Sequence, residues 1–435
     1  MITWWVAITG IALFLGILAG MLPSMNVSGV LILMMPAAHL IPNWQLLMWF
    51  YCVVVMTTQY YGSVSAILFG VVGEFTSIPA VENGFQIAKY GLQEKILTGT
   101  ALGSFVGAVI ALGIFMCSIQ YYETLIYFFT GKIKITILVM TILLLISMSS
   151  NKIIATVLSL VGLYISTGSI WYIEPMQQFV PNYITYLGGV PIIPIAMGLL
   201  VIPGIVRSNS TIVNHFHKTN DTPVMMNSTK TIIIGSAIGS LSGLIPGISY
   251  TISSSLAEAV EKFRNTFNKV SSPQNYYNNI ISAETSNNSG AITSLIPLLL
   301  LGLPILPSEA IILSLVENKG FVIQTAFQLI KDNVILLCTL SVAVSLLNFY
   351  ISGKLYKYLT FFIRYQKEIA GILLVIITMS MLWESYISGY FILTWATLII
   401  STIVGLSIKG QSAAPIIFAA LIGNELLPEL YRMYI

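Results

Sequence analysis

Two stretches of this 435-residue chain carry hydroxyl, amide and small side chains directly before apolar runs. One reads Tyr60-Tyr61-Gly62-Ser63-Val64-Ser65, the other Thr285-Ser286-Asn287-Asn288-Ser289-Gly290. Hydroxyls and amides can hydrogen-bond a carboxylate, and carbonyls at broken helix ends can coordinate Na⁺. The second stretch runs into ITSLIPLLLLGLP without a basic anchor, as the tip of a helical hairpin would. A solvated turn is the plainer alternative. On the first reading Tyr61, Gly62, Ser63, Ser65, Asn287, Asn288, Ser289 and Thr293 are candidate substrate contacts.

A second kind of block occurs as GILAGMLPSMNVS from Gly16 and as GSLSGLIPGISYT from Gly239. Glycines four apart let a neighbouring helix approach closely. Proline then removes a backbone donor and interrupts the helix. Freed backbone groups are costly in hydrocarbon, so such breaks persist where protein buries them or they line a wet cavity. A half-helix starting after the break aims its positive end into that cavity and favours an anion. Ser24, Asn26, Gly247 and Ser249 follow the breaks and join the candidate contacts. A packing motif with a kink is the competing reading.

Carboxylates beside these blocks are Glu74, Glu284 and Glu309. Intramembrane acids are functional suspects by default, and Glu74 and Glu284 are candidates for ion coupling; lying near segment ends, all three could equally sit at the membrane interface. Other chemistry finds little support. His39 stands alone in an apolar run, and His215 and His217 have no cysteine or carboxylate cluster beside them, so no metal site is expected. Gly131-Lys132 lacks the preceding glycine and following hydroxyl of a phosphate-binding loop. An intramembrane hydrolase would need a nucleophile with its base, or paired aspartates. Asp221 and Asp332 are unrelated in context.

These residues must be positioned by apolar elements. The chain is 56% hydrophobic and 8% charged, with a mean hydropathy of +0.89; soluble domains carry about a quarter charged residues. An all-α, polytopic integral membrane protein is therefore expected. A helix needs about 20 apolar residues to cross. Long runs cover 4–22, 96–119, 183–206, 231–255, 321–350, 370–390 and 391–408. Shorter ones cover 27–41, 44–58, 135–148, 153–166, 291–303 and 413–427. Together they predict about 10–13 transmembrane segments, some of them re-entrant. The first run lacks a basic leader and is read as a span rather than a signal peptide. Basic residues occur in all four polar breaks, at 82–95, 207–230, 258–282 and 354–368, so orientation is not specified. A net charge of +3 gives no reason to expect a nucleic-acid partner, and three scattered cysteines suggest no disulfide framework.

The blocks recur in order. Gly16, Gly20 and Pro23 return as Gly239, Gly243 and Pro246, each 223 residues on. The stretch from Tyr61 to Leu68 is matched by that from Ser289 to Ile296, 228 residues on. A fixed-distance recurrence signals duplication. It divides the chain into a first repeat at 1–130, connecting spans and a loop at 131–230, and a second repeat with C-terminal spans at 231–435.

GILAGMLPSM followed by YYGSVSAILFGVVGE, ENGFQIAKYG and ALGSFVGAVIA resembles the first half of the large membrane subunit (TctA) of the tripartite tricarboxylate transporters. GSLSGLIPGIS and then AETSNNSGAITSLIPLLLLGLP resembles its second half, so the likeness covers nearly the whole chain. The resemblance implies a multi-pass permease of a bacterial inner membrane that takes up a small organic anion, a di- or tricarboxylate. It implies two partners, a small membrane subunit and a periplasmic solute-binding protein. The driving force would be a Na⁺ or proton gradient, with no other cofactor. Two inverted halves would each bring broken helices or re-entrant hairpins to a central site. The family usually carries Pro-Gly at four places. Here Pro246-Gly247 keeps it, and the others read Pro23-Ser24, Val72-Gly73 and Pro304-Ile305. Gly62-Ser63 stands where two glycines are common. These departures leave a passive pore or a non-transporting protein of the same fold as the alternative.

Overall fold

The computed structural model describes residues 2–21, 27–69, 75–88, 90–121, 131–149, 151–177, 194–195, 197–207, 228–244, 249–270, 272–354, 365–387, 391–408, 415–416 and 418–420. Helices dominate these residues and no strand occurs among them. The first part contains α1 (Ile2–Met21), α2 (Val27–Met34), a 3₁₀ turn (Met35–Leu40), α3 (Trp44–Phe69), a second 3₁₀ turn (Phe75–Ser77), α4 (Ile78–Ala88) and α5 (Gln93–Gln120). The middle contains α6 (Gly131–Met148), α7 (Lys152–Gln177), a π-helical turn (Met197–Val201) and α8 (Ile202–Arg207). The last part contains α9 (Thr229–Gly243), α10 (Ser249–Phe267), α11 (Ser272–Thr293), α12 (Leu295–Leu301), α13 (Pro307–Glu317), α14 (Ile323–Lys354), α15 (Gln366–Ile387) and α16 (Phe391–Ser407).

Thr3–Met21, Gln93–Gln120 and Ile323–Gly353 are long and apolar enough to cross a bilayer. Shorter apolar helices lie at Leu138–Ser147, Lys152–Tyr164, Leu374–Trp383 and Thr394–Ser407. Large apolar side chains point outward along these segments, among them Ile335, Leu336, Met379 and Ile400. The chain is an all-α polytopic membrane protein.

Helix α11 lies at the centre, against α9, α5, α10, α4 and α3. Helix α1 packs along α3, and α14 packs against both α5 and α3. The placement of α11 is unusual, because it reads SPQNYYNNIISAETSNNSGAIT and yet is buried from Tyr277 onward. Lipid could not solvate those amides and hydroxyls. Protein on every side can, provided the neighbours approach closely.

The last part shows an expected pair of helices around Pro246 and one departure from the sequence reading. The apolar run at 231–255 is two helices, with α9 ending at Gly243 and α10 starting at Ser249; Pro246 lies between them, outside the described residues. The polar break at 258–282 is helical on both sides of a short turn at 268–270. Helix α10 is amphipathic with its faces reversed. Leu256, Val260, Phe263 and Phe267 are exposed, whereas Ser253, Ser254, Glu258, Glu261 and Asn265 are buried. A soluble helix would do the opposite; beside lipid, polar residues belong inside.

One turn positions a buried acid. Gly302 closes α12 in the left-handed conformation, at φ 63°. Its N–H donates to the Leu298 carbonyl at 3.0 Å, the 5→1 bond of an αL ending, and that of Leu303 donates to Pro297 at 3.1 Å. Pro307 then starts α13, where a missing N–H costs nothing. The Glu309 carboxylate accepts from the N–H groups of Ile305 (2.7 Å) and Leu306 (3.2 Å). Negative charge at a helix N-terminus is favourable.

Candidate functional site

The glycine blocks and the polar blocks meet in both parts of the chain. On α1, a Cβ added at Gly16 would lie 2.7 Å from the Thr57 Cβ, and one at Gly20 would lie 2.8 Å from the Tyr61 Cβ. On α9, a Cβ at Gly239 would lie 2.7 Å from the Ser286 carbonyl carbon, and one at Gly243 would lie 3.0 Å from that of Gly290. Each glycine stripe therefore seats the helix that carries the polar stretch. Helix α11 has a second groove, on α5, where Cβ atoms at Gly99, Gly103 and Gly107 would run into Tyr277 and Thr285. Held between two glycine stripes, α11 can bury polar side chains against backbone.

Both polar stretches are mid-helix, in α3 and α11. The residues from Ala283 to Gly290 are thus no hairpin tip. Continuous backbone hydrogen bonding removes the carbonyl ligands that a broken helix would offer, leaving side chains as the available chemistry. Of the nominated residues, Tyr61, Ser63, Ser65, Asn287, Asn288, Ser289 and Thr293 are all buried. Gly62 is also buried, its α-carbon facing the Ser77 hydroxyl. Ser249 begins α10, with its side chain outside the description. Ser24, Asn26, Glu74 and Gly247 lie outside the described residues, as do His215, His217 and Asp221.

Hydrogen bonding separates the buried polar groups into two sets. In the first set, hydroxyls turn back onto nearby carbonyls. Ser63 donates to Tyr60 at 2.8 Å, Ser65 to Gly62 at 2.9 Å, Ser289 to Thr285 at 3.0 Å and Thr293 to Ser289 at 3.1 Å. Asn288 donates to the Ser104 hydroxyl at 2.8 Å and to the Glu284 carbonyl at 3.0 Å. The Tyr61 hydroxyl donates to Asn348 at 3.2 Å, and Asn348 donates to Thr57 at 3.1 Å, tying α3 to α14. These residues hold helices together.

The second set has no hydrogen-bond partner: both amide atoms of Gln59, both of Asn287, and the hydroxyls of Thr76, Ser77, Thr285 and Ser286, with Ser236 and Ser240 on α9. Gln59 is 1% exposed and Asn287 0%. An orphaned buried polar group costs about 1–3 kcal/mol, and native proteins carry few. Such costs concentrate where function requires them. The sequence reading found Asn287 and missed Gln59, Thr76 and Ser77.

Register places members of this set together. Around α11, Asn279 accompanies Asn83 of α4, Ser282 bonds the Ala257 carbonyl of α10, Ser289 bonds the Ser236 carbonyl of α9, and Asn288 bonds Ser104 of α5. The sector left for α3, which also packs on α11, is the one holding Asn287. On α3, Gln59 stands about 160° from Tyr61 and about 60° from Gly62, at about 100° per residue. That is the side meeting Ser77 and Gly84, and the 75–77 turn packs on both α3 and α11.

Three acids are fully buried within the protein: Glu284, Glu309 and Glu261 are 0% exposed. Glu309 caps α13, as described. Glu261 accepts from Thr231 at 3.1 Å and pairs with Arg264, which also donates to Thr231 at 2.8 Å. Asn83 bridges Glu258 at 2.6 Å and Asn279. Glu284 sits on α11 one turn before Asn288. No lysine or arginine side chain is buried among the described residues, Arg264 being partly exposed. No group of three or more histidine, cysteine or acidic residues suited to a metal occurs among them. A separate cleft of about 100 Å³ is lined mostly by apolar groups such as Trp5, Trp49, Met56, Leu112 and Ile292. It suits hydrocarbon and offers an anion little beyond Gln45 and Ser341.

Comparison with known proteins agrees with the resemblance seen in the motifs. The profile described as the tripartite tricarboxylate transporter TctA family matches residues 6–418. A protein of Agrobacterium vitis, named "Uncharacterized 52.8 kDa protein in TAR-I ttuC' 3'region", is 24% identical over 326 residues. The match covers 71% of this chain and 63% of that relative, so the chain spans less than two thirds of the relative's length. No solved structure matches. The chain belongs to the tripartite tricarboxylate transporter TctA family.

Proposed function

We propose that this chain is the large permease subunit of a tripartite system and carries out ion-coupled uptake of a small organic anion, a di- or tricarboxylate. The observation that carries the proposal is α11, a helix rich in serine, threonine and asparagine buried at the centre of a membrane protein. A purely structural bundle would put leucine there. Amides and hydroxyls without partners, set among closely packed helices, make a site that can exchange its contacts with a ligand. Family membership supports the carrier class, a multi-pass place in the inner membrane, and the two partners, a small membrane subunit and a periplasmic solute-binding protein. The absence of buried lysine or arginine among the described residues bears on coupling. An anion entering such a site keeps its charge unbalanced by the protein, and co-bound Na⁺ or protons would offset it, with Glu284 and Glu74 as candidate carriers. The reading also accounts for the chemistry of the core without a nucleophile or a metal.

The test is uptake of labelled carboxylates into proteoliposomes holding this chain with both partner subunits, under imposed Na⁺ or proton gradients. Gradient-driven accumulation is expected. Flux that ignores the gradient would instead mark a passive pore, and no flux across a broad carboxylate panel would contradict transport.

A further inference from the structure

The recurrence spaced by 228 residues reaches further upstream than its glycine anchor. Thr57-Thr58-Gln59 falls on Thr285-Ser286-Asn287, ahead of the matched Gly62 and Gly290. Two hydroxyl residues and a carboxamide are thus repeated at the same offset in α3 and α11. The structure gives the two carboxamides the same condition. Each is buried to within 1% of completely, and each has both its nitrogen and its oxygen without a partner. No other asparagine or glutamine among the described residues has both side-chain atoms orphaned. The pairing of elements also recurs, since a glycine stripe seats each helix, α1 on α3 and α9 on α11.

We propose that Gln59 and Asn287 are equivalent residues of two repeated halves and form the ligand-contacting centre of the carrier, each holding one carboxylate of a small dicarboxylate. This rests on the carrier reading above. A carboxamide suits the task because its –NH₂ donates to a carboxylate oxygen without adding a fixed charge. A neutral donor also releases the anion more readily than a buried guanidinium, whose charge-assisted bonds are roughly twice as strong. Thr76 and Ser77, on the turn packed against both helices, add hydroxyl donors beside the pair. Serine and threonine on α11 that are already bonded to backbone contribute shape rather than recognition. Two equivalent donors specify a ligand with two equivalent acceptors. The site therefore prefers a dicarboxylate to a monocarboxylate of the same length.

The experiment uses the chain reconstituted with both partner subunits, and compares Gln59→Leu and Asn287→Leu with the unaltered protein. Succinate and butyrate are the probes, since they match in chain length and differ by one carboxylate. Each substitution is expected to raise KM for succinate about tenfold, from one lost hydrogen bond to a charged group, and to leave butyrate changed far less. The melting midpoint of the ligand-free protein is expected to hold or rise, because an orphaned amide has been replaced by an apolar group of similar size. A structural role would give the reverse pattern, with a lower midpoint and an unchanged preference for succinate, and that result overturns the inference. If the unaltered chain moves succinate and both variants match it, the inference alone fails. If the unaltered chain moves no carboxylate at all, the carrier reading fails and takes the inference with it.

Discussion

Gly239 offers a demanding check of how α9 seats α11. An added Cβ there would lie 2.7 Å from the Ser286 carbonyl carbon, and closer still to the carbonyl oxygen and the Ser289 hydroxyl. Ordinary carbon contacts need about 3.5–4.0 Å, so α9 would have to back away by about 1 Å. The obstacle is backbone and cannot rotate aside. The same movement would stretch the Ser289 to Ser236 hydrogen bond beyond its present 3.3 Å. Overpacking of this kind costs about 1–3 kcal/mol, against which alanine's better helix propensity returns up to about 1 kcal/mol. Gly113 on α5 isolates that gain, because nothing lies within 4 Å of a Cβ placed there. The prediction compares Gly239→Ala with Gly113→Ala by the temperature at which purified protein loses its monodisperse elution from a sizing column. Gly113→Ala should match or exceed the parent. Gly239→Ala should fall below Gly113→Ala by about 1–3 kcal/mol, the overpacking cost. Equal midpoints for the two variants would refute the close approach of α9 to α11.

Substitutions at three other positions probe the polar interior. Glu309→Ala removes the acceptor for the Ile305 and Leu306 N–H groups and should cost about 2–3 kcal/mol, whereas Glu309→Gln keeps one acceptor and should cost less; urea or thermal titration ranks the two. Asn83→Leu cuts the bridge between Glu258 and Asn279. It leaves Glu258 with its Lys262 ion pair and the Asn279 amide nitrogen without its acceptor, with an expected loss of about 1–3 kcal/mol and faster proteolysis near the α10–α11 turn. Asn348→Leu unties Tyr61 and Thr57 from α14 and should cost about 1–3 kcal/mol, read as a lower thermal midpoint.

Several of these features are legible in the sequence, and the others are hidden for physical reasons. Composition leaves lipid as the only solvent that fits, so the class follows directly. The glycine blocks announce close helix approach, although the sequence does not say that α1 meets α3 and α9 meets α11. The polar residues of α11 disguise a helix, because hydropathy and periodicity both look for an apolar face. A helix surrounded by protein needs none, and so Ser286, Asn287 and Asn288 read as a loop or hairpin tip. The stretch holding Glu258 and Glu261 misleads for a related reason, since α10 turns its acids inward and its phenylalanines outward. Gln59 lies two residues ahead of the matched stretch that begins at Tyr61, inside an apolar helix where hydropathy gives a single glutamine no weight. Glu309 stands at the edge of an apolar run, where the sequence alone does not separate a helix cap from an acid at the membrane interface.

The central claim is that the polar side of α11 facing α3 meets a path open to aqueous ligand rather than a dry core. It can be measured directly by cysteine accessibility. With Cys52, Cys117 and Cys338 replaced by serine or alanine, Asn287→Cys and Gln59→Cys are exposed in turn to a membrane-impermeant thiosulfonate in reconstituted vesicles. Tyr121→Cys, at the exposed end of α5, reports that the reagent works. Modification at 287 and 59 that slows when succinate is added is the predicted result. Prompt modification at 121 with none at 287 or 59, with or without substrate and gradient, would contradict the account.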